Sequence, residues 1–116
     1  MDDQINKLRA HAMFDANRTE PVSEQQLEFA RVLLEMRALY LRKNAAYGNG
    51  AIGSTGLYGV AVRMSDKVHR LLTLTRSGSD GTADESITDT LLDLAVYAVI
   101  GVIVLRGKWG RDGDSE

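Results

Sequence analysis

Two aspartates, Asp89 and Asp93, lie one helical turn apart in a mostly apolar run, ESITDTLLDLAVYAVI at 85–100. An unpaired carboxylate in apolar surroundings costs several kcal/mol, so cations or hydrogen-bond donors must face these acids. Glu85 precedes Asp89 by four residues, and a helix would place all three along one side. We call Glu85, Asp89 and Asp93 the acidic ridge; what faces it is the first clue to function.

A basic cluster precedes the acidic ridge. A helix would place four charged residues of this cluster within an arc of about 100°, because their spacings are three, four and seven. They are Arg63, Asp66, Lys67 and Arg70. In a structural interpretation, the basic cluster pairs with the acidic ridge between two helices. In a functional one, the ridge binds a divalent cation while the three basic residues hold phosphates, because hard cations prefer oxygen ligands and guanidinium groups match phosphate. Both interpretations remain open.

A glycine-rich segment, YGNGAIGSTGLYG at 47–59, is predicted to be a loop whose backbone N–H groups could approach a phosphate. Tyr47 leads into it and is the best candidate to stack on a base. Neither histidine, His11 or His69, has a partner spacing that suggests a metal site or a catalytic triad.

Composition limits the remaining functions. The 116 residues are 44% hydrophobic, lack cysteine and carry a net charge of −2. This predicts one domain with no charge for binding a nucleic acid polymer or a membrane surface. The polar start differs from a signal peptide, so we expect a cytoplasmic protein. The apolar run at 91–105 contains Asp93 and is shorter than the ~20 residues of a membrane span, which favours a buried core helix.

The helical patterns predict an all-α fold, a small bundle of three main helices plus a short N-terminal helix. The short helix covers 3–16, and the main helices cover 23–47, about 58–75 and about 84–106. Ser23 and Gln26 form a capping-box pattern.

The whole chain, 1–116, is predicted as one α-helical domain. Its parts are an N-terminal helix and linker at 1–22, a core at 23–106 and a flexible tail at 107–116 that Trp109 could anchor. The apolar surface exceeds what so small a bundle covers, which predicts a homo-oligomer.

Three segments carry a resemblance to a known group of proteins. KNAAYGN at 43–49, RMSDKVHRL at 63–71 and the run at 85–100 resemble small phage and prophage proteins associated with nucleotide modification. Their layout is similar to that of all-α pyrophosphohydrolases of the MazG type. The resemblance covers 24–105 and implies a phage origin, a helical fold, the cytoplasm of an infected bacterium and a nucleotide-like ligand. The matched positions are Lys43, Tyr47, Gly48, Arg63, Asp66, Lys67, Arg70, Glu85, Asp89, Asp93 and Tyr97.

The chain departs from the MazG-type pattern at the metal site. Those enzymes bring a Glu-x-x-Glu pair to a Glu-x-x-Asp pair around magnesium, whereas this sequence has no Glu-x-x-Glu on the predicted helix 23–47. Half of the expected carboxylate cage is missing, which favours binding without turnover.

Three hypotheses follow. The first is a binding protein that sequesters a small phosphorylated nucleotide, such as a cyclic or ADP-ribose-derived immune signal. In it the ligand-binding residues are Lys43, Tyr47, Gly48, Arg63, Lys67 and Arg70. The alternative is an Mg²⁺-dependent nucleotide pyrophosphohydrolase with metal ligands Asp66, Glu85, Asp89 and Asp93. The third is a structural protein whose charges only pair between helices.

Overall fold

The computed structural model describes residues 21–77 and 81–110, without the side chains of 81–85. These residues form three helices and no strand: α1 at Glu24–Tyr47, α2 at Gly50–Arg76 and α3 at Gly81–Leu105. The all-α prediction is confirmed for this part of the chain. The short helix predicted at 3–16 and the end of the tail, 111–116, lie outside the described residues.

The chain divides into two compact units, Met1–Ala38 and Leu39–Glu116, with the boundary inside α1. The described part of the first unit is Pro21–Ala38, which holds the N-terminal turns of α1. The last turns of α1 and all of α2 and α3 belong to the second unit. The groove described as the candidate site is lined only by residues of this second unit.

The start of α1 forms the predicted capping box. The Gln26 N–H donates to Ser23 Oγ at 3.2 Å, and the Ser23 N–H donates to Gln26 Oε1 at 3.0 Å. Two N–H groups that the helix cannot satisfy are thereby paired. An ion pair is also present on α1, with Arg31 Nη1 2.9 Å from Glu28 Oε1. Because both side chains are exposed, this pair contributes less than about 1 kcal/mol.

The glycine-rich segment is helical over most of its length, so the predicted loop at 47–59 is wrong. Between α1 and α2 only Gly48 and Asn49 are outside a helix. Gly48 has φ 72° and donates its N–H to Asn44 O at 2.8 Å, a left-handed residue that ends α1. Instead of a long loop, α2 contains a single break at Gly56, where φ is 63° and ψ is −155°. Only glycine adopts this backbone conformation without strain.

Two hydroxyl groups occupy the end of the short helical segment before the break. Ser54 Oγ and Thr55 Oγ1 both donate to the Ala51 carbonyl, at 3.1 and 3.0 Å. The two hydroxyl groups compete with backbone N–H groups for the Ala51 carbonyl oxygen. Such side-chain bonds weaken the backbone hydrogen bonding of a continuous helix near the break. The break therefore arises from glycine freedom together with Ser and Thr bonding. Propensity alone had suggested a loop.

Helices α2 and α3 pack against each other in opposite directions. A Cβ added at Gly101 of α3 would lie 3.5 Å from Leu57 and 3.6 Å from Val60, near the start of the long part of α2. Farther along α2, Lys67 contacts Asp93, which is earlier in α3. The absence of a side chain at Gly101 lets the helices approach closely, and Val60 beneath it is 1% exposed.

One side of α3 is covered and the other is not. The buried residues include Thr90, Val96 and Ile100, whereas four large apolar side chains are exposed. These four are Leu91, Val99, Val102 and Leu105. The segment Ser86–Leu105 is long and apolar enough to cross a membrane, with mean hydropathy 2.0 and 22% of it buried. A single helix of this kind is weak evidence for a membrane span. The helix that was predicted to lie in the core buries one of its sides and exposes the other.

The chain reverses direction after α3. Gly107, with φ 67°, donates its N–H to Val104 O at 3.0 Å, and the Lys108 N–H donates to Ile103 O at 3.1 Å. These two bonds around a left-handed glycine form a Schellman motif. The reversal returns Trp109 to the body of the second unit, so the first residues of the predicted tail, 107–110, form a defined turn.

Candidate functional site

A groove of about 400 Å³ lies in the second unit, among the last turns of α1, the start of α2, one side of α3 and the Trp109 turn. This volume falls in the range of small-molecule sites, about 300–1,000 Å³. Most of the lining is aromatic or aliphatic, with a few charged and amide groups. The lining residues are Tyr40, Lys43, Asn44, Tyr47, Gly48, Ala51, Ile52, Arg63, Asp93, Val96, Tyr97, Ile100 and Trp109.

Asp93 is the charged centre of the groove and has two lysine partners. Lys43 Nζ of α1 lies 2.8 Å from Asp93 Oδ1, and Lys67 Nζ of α2 lies 2.9 Å from Asp93 Oδ2. The Asp93 side chain is 14% exposed, against 45% for Lys43 and 29% for Lys67. One carboxylate thus joins three helices, which is why α3 can carry an acid within its apolar run.

The pKa of Asp93 reflects opposing effects. Burial alone would raise this pKa, but hydrogen bonds and charges from Lys43 and Lys67 outweigh burial and hold it below its usual value of 3.8. Asp93 is therefore ionised at neutral pH, and its two oxygens are both used as acceptors by lysines.

Arg63 enters the groove from α2, and its environment differs from that of Lys43 and Lys67, which both pair with Asp93. Its Nη1 lies 3.3 Å from Thr55 Oγ1, and no carboxylate of the described residues lies within ion-pair distance of it. The break at Gly56 places Thr55 over Gly59, where an added Cβ would collide with Thr55 Oγ1. Gly59 thus makes room for the threonine that orients Arg63. A guanidinium held by a neutral hydroxyl remains able to bind an anion.

Aromatic side chains form the other wall. Tyr40 and Trp109 meet edge to face, with ring centroids 6.3 Å apart and an interplanar angle of 64°. Trp109 Nε1 donates to Asn49 O at 3.1 Å. Tyr47, at the end of α1, is 78% exposed, so its ring lies at the open side of the lining.

The structure brings six of the ten predicted site residues together. Lys43, Tyr47, Gly48, Arg63 and Asp93 all line the groove. Lys67 joins them through Asp93. The remaining predicted residues are elsewhere or undescribed: Asp66, Arg70 and Asp89 are exposed and outside the lining, and the Glu85 side chain lies outside the described residues.

The predicted metal ligands do not form a cluster within the described side chains. No three Asp, Glu, His or Cys residues of that set are grouped so that they could hold a metal ion. Asp93, the best placed of the predicted ligands, is turned toward two lysines. The structural interpretation of the acidic ridge therefore holds at Asp93, where basic and acidic residues pair between helices.

Sequence reasoning missed several lining residues. Asn44 donates from its Nδ2 to Asn49 Oδ1 at 2.6 Å, which ties the end of α1 to the start of α2. Tyr40 and Ile52 also line the groove, and no functional role was predicted for either from the sequence. Trp109 was predicted to anchor the tail and does so, but its place in the groove had no sequence signal, because it depends on the reversal at Gly107.

Comparison of the chain with protein-family models, with curated proteins and with solved structures found no match.

Proposed function

We propose that the protein binds a small phosphorylated nucleotide in this groove and sequesters it unchanged. The observation that carries the proposal is the combination of an aromatic wall with Arg63, a guanidinium that no carboxylate of the described residues neutralises. A planar base matches the wall, and a phosphate matches the guanidinium.

Lys43 provides a second cation for the phosphate. Its side chain is more exposed than that of Lys67, and both lysines hold the same carboxylate. A phosphate could replace Asp93 as the ion-pair partner of Lys43, while Lys67 remains paired with Asp93. Anion binding would then leave no buried charge unpaired. Gly48 and Tyr47, at the opening of the groove, would then contact the sugar and base.

Binding without hydrolysis is favoured over the pyrophosphohydrolase alternative by the position of Asp93. A magnesium ligand must leave its oxygens open to the metal, whereas both Asp93 oxygens accept lysine hydrogen bonds. Asp66 and Asp89 are exposed and lie outside the groove lining. No second carboxylate of the described residues joins Asp93 there.

The ligand class is a small phosphorylated nucleotide, and a cyclic or ADP-ribose-derived immune signal is the narrower proposal. The resemblance to small phage proteins supports this narrower ligand and a place in the cytoplasm of an infected bacterium. The protein would then act by lowering the free concentration of the signal.

The first experiment separates sequestration from turnover. Purified protein is incubated, with and without magnesium, with nucleoside triphosphates, cyclic nucleotides, ADP-ribose and cyclic ADP-ribose isomers. The solution is chromatographed before and after heat denaturation of the protein. We expect one compound to leave the free pool and return intact on denaturation. Magnesium-dependent conversion to a product would establish the enzyme instead, and no depletion of any compound would contradict nucleotide binding.

Three arginine variants locate the phosphate site. Arg63→Ala should weaken binding of the retained compound by tenfold to a hundredfold, because a hydrogen bond to a charged group contributes about 1.5–3 kcal/mol. Arg76→Ala, at the exposed end of α2, is the matched control and should change affinity less than twofold. Arg70→Ala tests the predicted role of Arg70: a loss equal to that of Arg63→Ala would extend the phosphate site along α2.

A homo-oligomer is part of the same proposal. The exposed apolar side chains of α3 support it, as do Val62, Val68 and Leu72 of α2. These α2 residues alternate with charged ones, a pattern that fits a protein surface better than lipid. Light scattering after size-exclusion chromatography should give a mass that is a multiple of 12.7 kDa. A monomer at all concentrations would contradict this part.

A further inference from the structure

The turn after α3 places an indole in the wall of the groove. We infer that Trp109 is a ligand-binding residue on which the base of the nucleotide stacks. This inference rests on the proposed function and assigns the site a residue beyond those that the sequence predicted.

Three contacts fix the Trp109 ring before any ligand arrives. Its N–H is satisfied by the Asn49 carbonyl at 3.1 Å. The Tyr40 ring meets it at a 64° angle. Gly53 lies beside it, since a Cβ added there would be 3.9 Å from Trp109 Cδ1. The ring therefore has its polar atom paired and its orientation set by α1, by the α1–α2 turn and by the first segment of α2.

A ring held in this way is suited to stacking. Side chains that are ordered before binding lose little conformational freedom when the ligand arrives. Trp109 is only half-buried although all three contacts are formed, and it lines the groove next to aliphatic residues such as Ile52. If Trp109 served only to anchor the tail, nothing would require its ring to form part of the groove wall. Tyr47 supplies a second, more exposed ring on the same lining.

Stacking also explains which part of a ligand each wall would contact. The cations Arg63 and Lys43 enter from α2 and α1, whereas the indole comes from the C-terminal turn. A ligand that lacks a base would use only the cations. Trp109 should consequently matter for base-containing compounds and not for a sugar phosphate.

Fluorescence gives a direct measurement, because the chain contains one tryptophan. The full-length protein is titrated with ADP-ribose and, separately, with ribose 5-phosphate. ADP-ribose should change the Trp109 emission with the same concentration dependence as binding measured by equilibrium dialysis. Ribose 5-phosphate should bind more weakly and leave the emission largely unchanged.

Two variants separate stacking from anchoring. Trp109→Leu should weaken ADP-ribose binding by about fivefold to 150-fold, the range that corresponds to losing one stacked aromatic, and change ribose 5-phosphate binding less than twofold. Trp109→Phe loses the N–H bond to Asn49 but keeps an aromatic face, so it should retain most of the ADP-ribose affinity. The phenylalanine variant also allows the stacking role to be tested if the leucine variant does not fold.

The outcomes distinguish this inference from the function on which it rests. Binding of ADP-ribose with unchanged tryptophan emission, or equal losses for both probes in Trp109→Leu, would overturn the stacking role alone. A phenylalanine variant as weak as the leucine variant would show that anchoring matters and not the ring, and would overturn it too. If neither probe binds the wild-type protein, the inference and the nucleotide proposal for this ligand class fail together.

Discussion

Two neighbouring turns of α3 carry the same acid in different surroundings. Asp93 is 14% exposed and receives Lys43 and Lys67 from two other helices. Asp89, four residues earlier, is exposed, and none of the ion pairs among the described residues includes it. Asp93 stands between Leu92 and Leu94, whereas Asp89 stands between Thr88 and Thr90. The more apolar of the two positions is the one to which other helices bring cations, and these cations allow its carboxylate to be buried.

The largest effect is expected from removing the buried acid. Asp93→Ala leaves two lysine ammonium groups facing an apolar gap and should lower the free energy of unfolding by about 2–3 kcal/mol. Urea denaturation followed by circular dichroism measures this change. A loss below 0.5 kcal/mol, the usual range for surface substitutions, would mean that the ion pairs to Asp93 contribute nothing to stability.

The two lysines should differ in their contributions. Lys67 is less exposed than Lys43, so Lys67→Met should lower the free energy of unfolding by about 1 kcal/mol and Lys43→Met by about half as much. Because methionine keeps most of the aliphatic part of the lysine side chain, the difference in the free energy of unfolding reflects mainly the loss of the charge. The same denaturation measurement applies. A larger loss for Lys43→Met would show that burial does not rank the two pairs.

Lowering the pH should weaken the Asp93 pairs by a smaller amount. The folded-state pKa of Asp93 is lowered, so its contribution is complete above the unfolded pKa of about 3.9 and is lost as the pH falls through the lower, folded value. The difference in unfolding free energy between wild type and Asp93→Asn should stay constant from about pH 7 to about pH 5 and shrink below about pH 4. A difference that grows toward acid pH would reverse the sign of the pKa shift.

Asp89 should give the smallest effect. Asp89→Asn removes an exposed charge and should change the free energy of unfolding by less than about 0.5 kcal/mol. It should also leave nucleotide affinity within twofold, because Asp89 lies outside the groove lining. Thermal and urea denaturation together with equilibrium dialysis test both statements. A stability loss close to that of Asp93→Ala would remove the distinction between the two turns.

The sequence predicted well those features that depend on neighbouring residues. The Ser23–Gln26 capping box and the three main helices follow from local bonding and periodicity. The charge pairing between the basic cluster and the acidic ridge was one of two open interpretations. At Asp93 the pairing exists, with Lys67 as predicted and with Lys43 as an addition.

Two features were not predicted from the sequence. Residues 50–55 are helical up to the break at Gly56, whereas glycine content favours a long loop. Glycine content does not distinguish a long loop from a helix with a single break. The place of Trp109 in the groove follows from the chain reversal at Gly107 and cannot be deduced from spacing, because it is set by how the helices pack.

The three positive-φ glycines also indicate how the groove could be redesigned. Gly48, Gly56 and Gly107 fix the course of the backbone around it, and any other residue at these positions would carry strain. A combinatorial library aimed at new ligands should keep them constant. Diversity belongs instead at side chains that face the groove without shaping the chain, such as Tyr47 and Ile52. At the positive-φ glycines and at Tyr47 and Ile52, the backbone course and the lining of the groove can thus be varied separately.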